Sequence, residues 1–351
     1  MIENSVFTKE WIDELRGKYS AADPTILERA IYALELVGSL RKEGIEFVFK
    51  GGSSLLLLLQ EPLRLSIDVD IVTEVSTKEI EFALENIVKS EHFTRWEQDA
   101  RTEINIPKSH YKIYYNSVID SRFPAYVLLD VLHSAHPYPK ILSKEVSTEF
   151  IEVTESVSVD TPTINGLLGD KLTAFAPTTT GILFGIGKDM EINKQLFDIG
   201  TLFSLSDNLK EVNETFTEII KQESSFRGKS FNHNEVSKDI INISFMISQI
   251  RLRRAIENEI TKEIEAGIRK IRNHLLIGTY NLDSARINAS RCALVTTLLN
   301  VECDYNDLKE YAVSKITDDQ LTDDLQILNR LKPTVPEAFY YWQQVQKYRS
   351  V

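Results

Sequence analysis

Two short polar motifs that lie close together in the chain constrain it more than any other feature. Gly51-Gly52-Ser53 follows a β-like run, and an apolar spacer then leads to Asp68 and Asp70. Residues i and i+2 of a strand share a face, so these two carboxylates project side by side. Adjacent unpaired carboxylates would repel each other and resist burial, whereas a divalent cation such as Mg²⁺ prefers hard oxygen ligands. The glycines let backbone N–H groups approach a phosphate, and the Ser53 hydroxyl can donate to the same oxygens.

Each motif has a simpler interpretation when it stands alone. A lone Gly-Gly-Ser is usually a turn, and a lone Asp-x-Asp is usually the solvated face of a strand. The order of the two motifs, with a spacer of helix length between them, favours a site for a metal ion and a phosphate over both alternatives.

A third carboxylate, Asp130, lies inside the apolar run YVLLDVLHS. The run predicts a strand that would otherwise be wholly buried, and a buried aspartate must be paired, hydrogen-bonded or metal-bound. One hypothesis is a hydrogen bond to neighbouring backbone or to an arginine. The other makes Asp130 the third carboxylate of the Asp68/Asp70 site.

Hydrophobic periodicity predicts alternating helices and strands up to residue 132. Asp23 is a plausible N-cap for a helix that begins at Pro24 and stops at Gly44. After it we predict strands over 45–49, 65–72, 111–118 and 126–132, a buried helix over 53–60, and a helix over 77–89 with Thr77 as its N-cap. This order predicts a mixed sheet with helices packed on it.

From residue 163 onward the chain is predicted to be helical. Lys171 falls in a helix that ends before Pro177, a Gly- and Thr-rich loop follows, and Lys194 and Asp198 share one face of the next helix. The simplest interpretation of that pair is a surface ion pair. Residues 250–276 are predicted to form an amphipathic helix, whose basic side chains either pair with its glutamates or line an RNA-binding groove.

Composition narrows the class of protein. The 351 residues, 42% of them hydrophobic, suit a globular protein of two domains. A net charge of −12 argues against a generic nucleic-acid coat but leaves room for a local basic patch. Cys292 and Cys303 match no zinc spacing, and no signal peptide or membrane span is evident. We therefore expect a cytoplasmic protein with reduced thiols and no membrane partner.

The polar motifs carry a family resemblance. Gly-Ser followed by Asp-x-Asp is the signature of the polymerase-β-like nucleotidyltransferases. The fuller pattern, Phe49-Lys50-Gly-Gly-Ser and then Arg64-x-Ser66-x-Asp-x-Asp, resembles the AbiEii/AbiGii toxin branch of that superfamily over roughly residues 24–205. The resemblance implies an α/β fold: a nucleotidyltransferase core with a mixed sheet over residues 1–205, and an α-helical C-terminal domain over 206–351.

The resemblance also implies a reaction, the transfer of a nucleoside monophosphate from an NTP to an acceptor hydroxyl with release of pyrophosphate. The carboxylates would hold one or two Mg²⁺ ions, Asp130 either binding the second ion, accepting the hydroxyl proton, or both. Arg64 and Ser66 would support the carboxylate strand and would not be direct ligands. Gln195 stands where the family usually has Asp or a similar polar residue. The implied roles are metal ligation by Asp68, Asp70 and Asp130, nucleotide binding by Gly51, Gly52, Ser53, Lys171 and Lys194, and orientation of one of these lysines by Asp198.

The family further implies a biological setting: the toxin of a toxin–antitoxin or abortive-infection pair, neutralised by a separately encoded antitoxin and acting on tRNA. Nucleotidylation of a small molecule or a protein is an alternative. A non-catalytic nucleotide-binding regulator is another, which the complete set of three carboxylates disfavours.

Overall fold

The computed structural model describes residues 1–99, 106–255, 257–299, 301, 303 and 305–349. The chain divides into two compact units, Met1–Thr163 with Asn273–Thr279, and Ile164–Arg272 with Tyr280–Val351. The domain boundary predicted after residue 205 stays a prediction. Residue 205 itself lies within the second of these units.

The first unit is built on a sheet that, in the described part of the chain, has seven strands in the order β3-β4-β5-β2-β1-β7-β6. Central β2 runs parallel to β5 and antiparallel to β1. This confirms the predicted α/β class and mixed sheet. The elements are α1 (Lys9–Lys18), α2 (Pro24–Lys42), β1 (Val48–Lys50), α3 (Gly51–Leu58), β2 (Asp68–Thr73), α4 (Thr77–Ile87), β3 (Arg95–Gln98), β4 (Lys108–Tyr115), β5 (Ala125–His133), β6 (Ile141–Glu145) and β7 (Ser158–Pro162).

Alternate residues of the central strands face opposite ways. Val69 and Ile71 of β2, Leu129 of β5 and Tyr111 of β4 are fully buried in one core cluster, together with apolar residues of α2 and α4. The residues between them on the same strands point to the other face. The sheet therefore has one face closed by helices and one face that carries its polar side chains.

Two helix starts show how local chemistry sets the elements. Asp23 accepts hydrogen bonds from Thr25 N at 2.8 Å and from Ile26 N, with Pro24 at the first helical position, as the sequence predicted. The predicted cap of α4 was wrong by one residue, since Ser76 is the N-cap and shares a reciprocal capping box with Glu79. A capping box satisfies two orphan donors at once, which explains why the helix begins there.

Several strand predictions need correction. The strand predicted over 111–118 runs from Lys108 to Tyr115, because it follows its partner β5 rather than its own apolar run. Three further strands, β3, β6 and β7, were not predicted. They have four or five residues each and expose part of their length, so they lack a clear hydrophobic pattern.

A distant segment completes the first unit next to the carboxylate strand. Leu65 N donates to His274 O at 2.7 Å, and Leu276 N donates to Leu63 O at 3.0 Å. Arg64 forms an isolated antiparallel bridge with Leu275. The chain leading into β2 is thus held by residues that lie more than two hundred positions later in the sequence.

The second unit is helical, and no strand occurs among its described residues. This agrees with the predicted helical C-terminal region. Its α-helices are α5 (Ile164–Ala174), α6 (Asp189–Leu205), α7 (Leu209–Phe226), α8 (His233–Gln249), α9 (Glu259–Lys270), α10 (Leu282–Leu298), α11 (Tyr305–Lys309) and α12 (Pro336–Arg349).

The continuous helix predicted over 250–276 was wrong. After α8 the chain turns, with Arg251 and Arg254 at φ 61° and 72°, a left-handed conformation that a helix cannot continue through. The helix restarts at Glu259, where the Asn258 side chain accepts from Thr261 N at 3.0 Å. Periodicity alone did not show this break, because the residues on both sides keep amphipathic spacing.

Both cysteines are free thiols, Cys292 buried and Cys303 partly so. Within the described residues, no helix combines the length and the apolar character that a membrane crossing requires.

One buried carboxylate gives the first unit a pH-dependent stability. Glu35 of α2 is 2% exposed and accepts a hydrogen bond from Ile2 N at 3.1 Å. Desolvation outweighs that hydrogen bond and raises the pKa of Glu35 from 4.5 to about 7. Between pH 4.5 and about 7, Glu35 is therefore protonated in the folded protein and ionised in the unfolded chain.

We expect the free energy of unfolding to fall as the pH rises from 4.5 to about 7 and to lose nothing more from this group above that range. Glu35→Gln removes the ionisation and keeps an acceptor for Ile2 N. The variant should be more stable than wild type at about pH 8, by on the order of 2 kcal/mol, and close to it below pH 4.5. Urea unfolding at several pH values measures this, with the exposed Glu14→Gln as control. Equal pH profiles for both variants would contradict it.

Candidate active site

The start of α3 lies directly against the carboxylate strand. Gly51 has φ +74°, and a Cβ built on it would lie 2.2 Å from Asp70 Oδ2. Any other residue there would both strain the backbone and displace the carboxylate. Glycine at position 51 is thus required by the close approach of the α3 backbone to Asp70.

Gly52 meets the Arg-x-Ser part of the second motif in the same way. A Cβ on Gly52 would lie 2.7 Å from Ser66 Oγ and 2.8 Å from Arg64 Nη2. Arg64 and Ser66 are 6% and 9% exposed. The two sequence motifs therefore pack on each other residue by residue, with the glycines making room for the Arg64 and Ser66 side chains.

Ser53 ties the helix to the strand. Its side chain is fully buried, and its hydroxyl donates to the backbone carbonyl of Asp68 at 2.5 Å. This hydrogen bond uses the hydroxyl proton of Ser53, which the sequence predicted would be donated to a phosphate. The backbone N–H groups of the first turn of α3 carry partial positive charge and remain the donors that suit an anion.

Strand register places the third carboxylate beside the other two. Asp70 of β2 is the direct partner of Asp130 in β5 and of Lys50 in β1, and Asp68 is opposite Leu128. Register partners and i, i+2 neighbours point to the same face. Asp68, Asp70 and Asp130 therefore share the polar face of the sheet.

His110 was not predicted to belong to the site. It is the register partner of Asp130 across β4 and β5, and its Nδ1 lies 2.7 Å from Asp130 Oδ1. The only signal in the sequence was its position in a strand next to an Asp-bearing strand. Without the register, that signal could not be used.

The donor set suits a divalent metal. Three carboxylates on adjacent positions of one sheet face supply the hard oxygen ligands that Mg²⁺ prefers. Among the described residues, however, no three His, Cys, Asp or Glu side chains already converge as a coordination sphere. Mg²⁺ commonly takes one or two carboxylates and completes its shell with water and substrate phosphates, so the arrangement fits this metal.

The remaining predicted site residues belong to the second unit. Lys171 Nζ of α5 lies 2.9 Å from Asp198 Oδ2 of α6, and their side chains are 6% and 1% exposed. Lys194, one turn before Asp198, is also buried. The surface ion pair offered as the simple interpretation of Lys194 and Asp198 is wrong, because both side chains lie in the interior and Asp198 pairs with Lys171.

A glycine-started helix packed on an Asp-x-Asp strand, within a mixed sheet and ahead of a helical unit, is the arrangement of a polymerase-β-like nucleotidyltransferase. The family comparison makes this more specific. The chain belongs to the family described as nucleotidyl transferase AbiEii toxin, type IV toxin–antitoxin system, whose model matches residues 35–285. It is therefore a nucleotidyltransferase of a toxin family.

One solved structure shows the same fold at low sequence identity. MenT4, a nucleotidyltransferase toxin from Mycobacterium tuberculosis, aligns with a TM-score of 0.52 and 10% identity over 95% of this chain and 98% of its own. JHP933 from Helicobacter pylori aligns with a TM-score of 0.43 and 13% identity over 78% and 89% of the two chains. A comparison with curated proteins found no match.

Proposed function

We propose that this toxin-family nucleotidyltransferase moves a nucleoside monophosphate from an NTP to a hydroxyl of an RNA acceptor. The acceptor oxygen forms a bond to the α-phosphorus and gives its proton to Asp130 or to water. The bond from that phosphorus to the bridging oxygen breaks, and pyrophosphate leaves with the electron pair. The observation that carries the proposal is the set of three carboxylates on one sheet face beside the start of α3. Three neighbouring carboxylates repel one another, so a fold that binds no cation there would gain no stability from placing them together.

The roles follow from chemistry and from the family resemblance. Asp68, Asp70 and Asp130 would hold Mg²⁺, which when bound neutralises charge on the triphosphate. The backbone N–H groups at Gly51, Gly52 and Ser53 would donate to the β- and γ-phosphate oxygens.

The resemblance assigns Lys171 and Lys194 to phosphate charge, and we keep that assignment. A lysine ammonium is a compact point charge that suits a pyrophosphate leaving group. The ion pair with Asp198 fixes where the Lys171 ammonium lies. Asp198 is thus a positioning residue in this proposal.

RNA is the acceptor that the resemblance favours, tRNA in particular. The second unit offers a basic turn after α8, in which Arg251, Arg253 and Arg254 are exposed. Arg251 is paired with Glu265, so part of its charge is neutralised. We propose that these exposed arginines contact RNA phosphates.

Direct labelling tests the reaction. Purified protein is incubated with each α-labelled NTP, Mg²⁺ and total RNA, and the products are separated by gel and digested with protease or nuclease. We expect label on a discrete RNA band that nuclease removes. Label on protein or on a small molecule would overturn the RNA acceptor, and no label with any of the four NTPs would favour the non-catalytic regulator.

The arginine turn makes a separate prediction. Arg251→Gln, Arg253→Gln and Arg254→Gln together should weaken RNA binding at low salt and flatten the plot of log K against log salt by about 0.7–0.9 per lost phosphate contact. NTP binding should not change. The matched control is Lys210→Gln with Lys221→Gln, two exposed lysines of α7. An unchanged slope in the arginine variant would place the RNA contacts elsewhere.

The family also supports a cognate antitoxin encoded separately from this chain. Restored growth of toxin-expressing cells, when a gene neighbouring the toxin gene is co-expressed, would identify it. Failure of every neighbouring gene to restore growth would count against this partner.

A further inference from the structure

We propose that His110 is a positioning residue that holds Asp130 as a single-oxygen ligand, leaving Oδ2 as the oxygen that meets metal or substrate. The proposal rests on the proposed function, which places Asp130 in the reaction. It also narrows the role of Asp130, which the sequence left open.

The register fixes His110 against Asp130. The two residues are direct partners of antiparallel β4 and β5, and Asp130 is in turn the direct partner of Asp70 in parallel β2. Directly opposed residues of an antiparallel pair have Cβ atoms about 4.5–5.5 Å apart on the same face. On its other side, the His110 carbonyl accepts from Asp99 N at 2.8 Å. The imidazole therefore stands next to the carboxylate row on a strand held from both edges.

The hydrogen bond has a defined direction. A carboxylate only accepts, so the 2.7 Å contact requires the Nδ1 of His110 to carry the proton and donate it to Asp130 Oδ1. This fixes the rotamer of Asp130 and engages one of its two oxygens. The His110 side chain is 6% exposed and that of Asp130 is 29% exposed. Asp130 can thus be reached from outside, whereas His110 acts through it.

A purely structural role explains His110 poorly. Its Nε2 is buried and makes no hydrogen bond within the described residues. An unpartnered buried nitrogen destabilises the fold, and an apolar residue of similar size would avoid that penalty. What the imidazole provides and an apolar residue cannot is the donor that orients Asp130.

His133 shows what a structural histidine looks like in the same sheet. It lies at the end of β5 on the face opposite Asp130, and both of its ring nitrogens have partners. Nδ1 contacts Val75 O at 2.9 Å, and Nε2 contacts Ser109 Oγ at 2.9 Å. Replacing His110 and replacing His133 should therefore have different effects on stability and on transfer.

The test compares His110→Leu, His110→Asn and His133→Leu. We expect His110→Leu to keep or raise the melting temperature while lowering transfer about 10-fold or more and shifting its Mg²⁺ dependence to higher concentration. His110→Asn, whose amide N–H can donate to Asp130, should be intermediate. His133→Leu should lower the melting temperature. At assay temperatures below that melting temperature, its kcat should equal that of wild type. A destabilised His110→Leu variant with wild-type transfer would overturn the proposal.

Metal binding supplies a second readout. The affinity of the protein for Mn²⁺ is measured by electron paramagnetic resonance. Mn²⁺ is added to the protein in the presence of an equimolar mixture of the four α,β-imido NTP analogues. His110→Leu should weaken Mn²⁺ affinity about 10-fold or more. Echo modulation from an imidazole nitrogen in the Mn²⁺-loaded wild type would overturn the proposal, because His110 would then be a ligand itself.

The failure of this inference can be told from failure of the proposed function. Asp130→Ala decides between them. If Asp130→Ala transfers normally, the assignment of Asp130 to the reaction is wrong. If Asp130→Ala is inactive while His110→Leu matches wild type in transfer and Mn²⁺ affinity, only the role of His110 is wrong.

Discussion

Replacing Asp68 or Asp70 with alanine is expected to lower nucleotide transfer by about a thousandfold or more while the protein stays folded. The loss follows because each change removes an oxygen ligand from the face that would hold Mg²⁺ and the triphosphate. Each 1.36 kcal/mol of lost transition-state stabilisation is about tenfold in rate. Both side chains are partly exposed on the polar face, so neither supports the apolar core. Relief of carboxylate repulsion should leave stability unchanged or slightly raised.

The measurement is initial-rate transfer at saturating Mg²⁺, with melting temperature measured in parallel. Asp13→Ala is the matched control, an aspartate of α1 that is exposed and pairs with Lys9. It should change neither quantity beyond a small surface effect. Near wild-type transfer in either Asp68→Ala or Asp70→Ala would remove the carboxylate face as the reaction site.

The second large effect concerns the buried ion pair of the helical unit. Lys171→Ala should destabilise the protein by up to about 3–5 kcal/mol, because it removes an ammonium that lies 2.9 Å from the Asp198 carboxylate in the interior. The double change Lys171→Met with Asp198→Leu should recover most of that loss, since a buried pair replaced by apolar side chains of similar volume is often neutral. Neither variant should transfer nucleotide if Lys171 meets phosphate.

Urea unfolding and transfer rates together separate the two roles of Lys171. Lys221→Ala is the matched control, because it breaks an exposed pair with Glu218 and should cost less than about 1 kcal/mol. A double variant that is stable and fully active would make Lys171 a structural residue only. A double variant that is stable and inactive would support its proposed contact with the leaving group.

Sequence succeeded where chemistry is local in the chain. The side-by-side placement of Asp68 and Asp70 could be predicted, because strand alternation puts these two residues on one face and Val69 on the other. Asp130 was singled out because it interrupts an apolar run. The expectation of a wholly buried strand was wrong, since β5 alternates and the Asp130 side chain is 29% exposed. Asp23 and Pro24 marked a helix start through capping chemistry that two residues complete.

Features that depend on strand register, or on contacts with residues far away in the chain, could not be predicted from the sequence. Nothing local pairs His110 with Asp130, since the register between β4 and β5 is set by the whole sheet. The burial of Asp198 against Lys171 depends on how α5 packs on α6. The break before α9 depends on left-handed Arg251 and Arg254, a conformation that arginine rarely adopts and that no propensity predicts.

The segment at residues 273–279, which contains the isolated bridge at Leu275, has a consequence for the synthesis of the protein. A ribosome delivers the chain from its N-terminus, so the carboxylates, the glycines and the whole sheet emerge before His274 and Leu276 are made. The backbone of Leu63 and Leu65, just ahead of Asp68, gains its partners only when those late residues arrive. The nascent nucleotidyltransferase core thus stays incomplete through most of translation. The first unit, with the proposed site on its sheet, can be complete only once synthesis has passed residue 279.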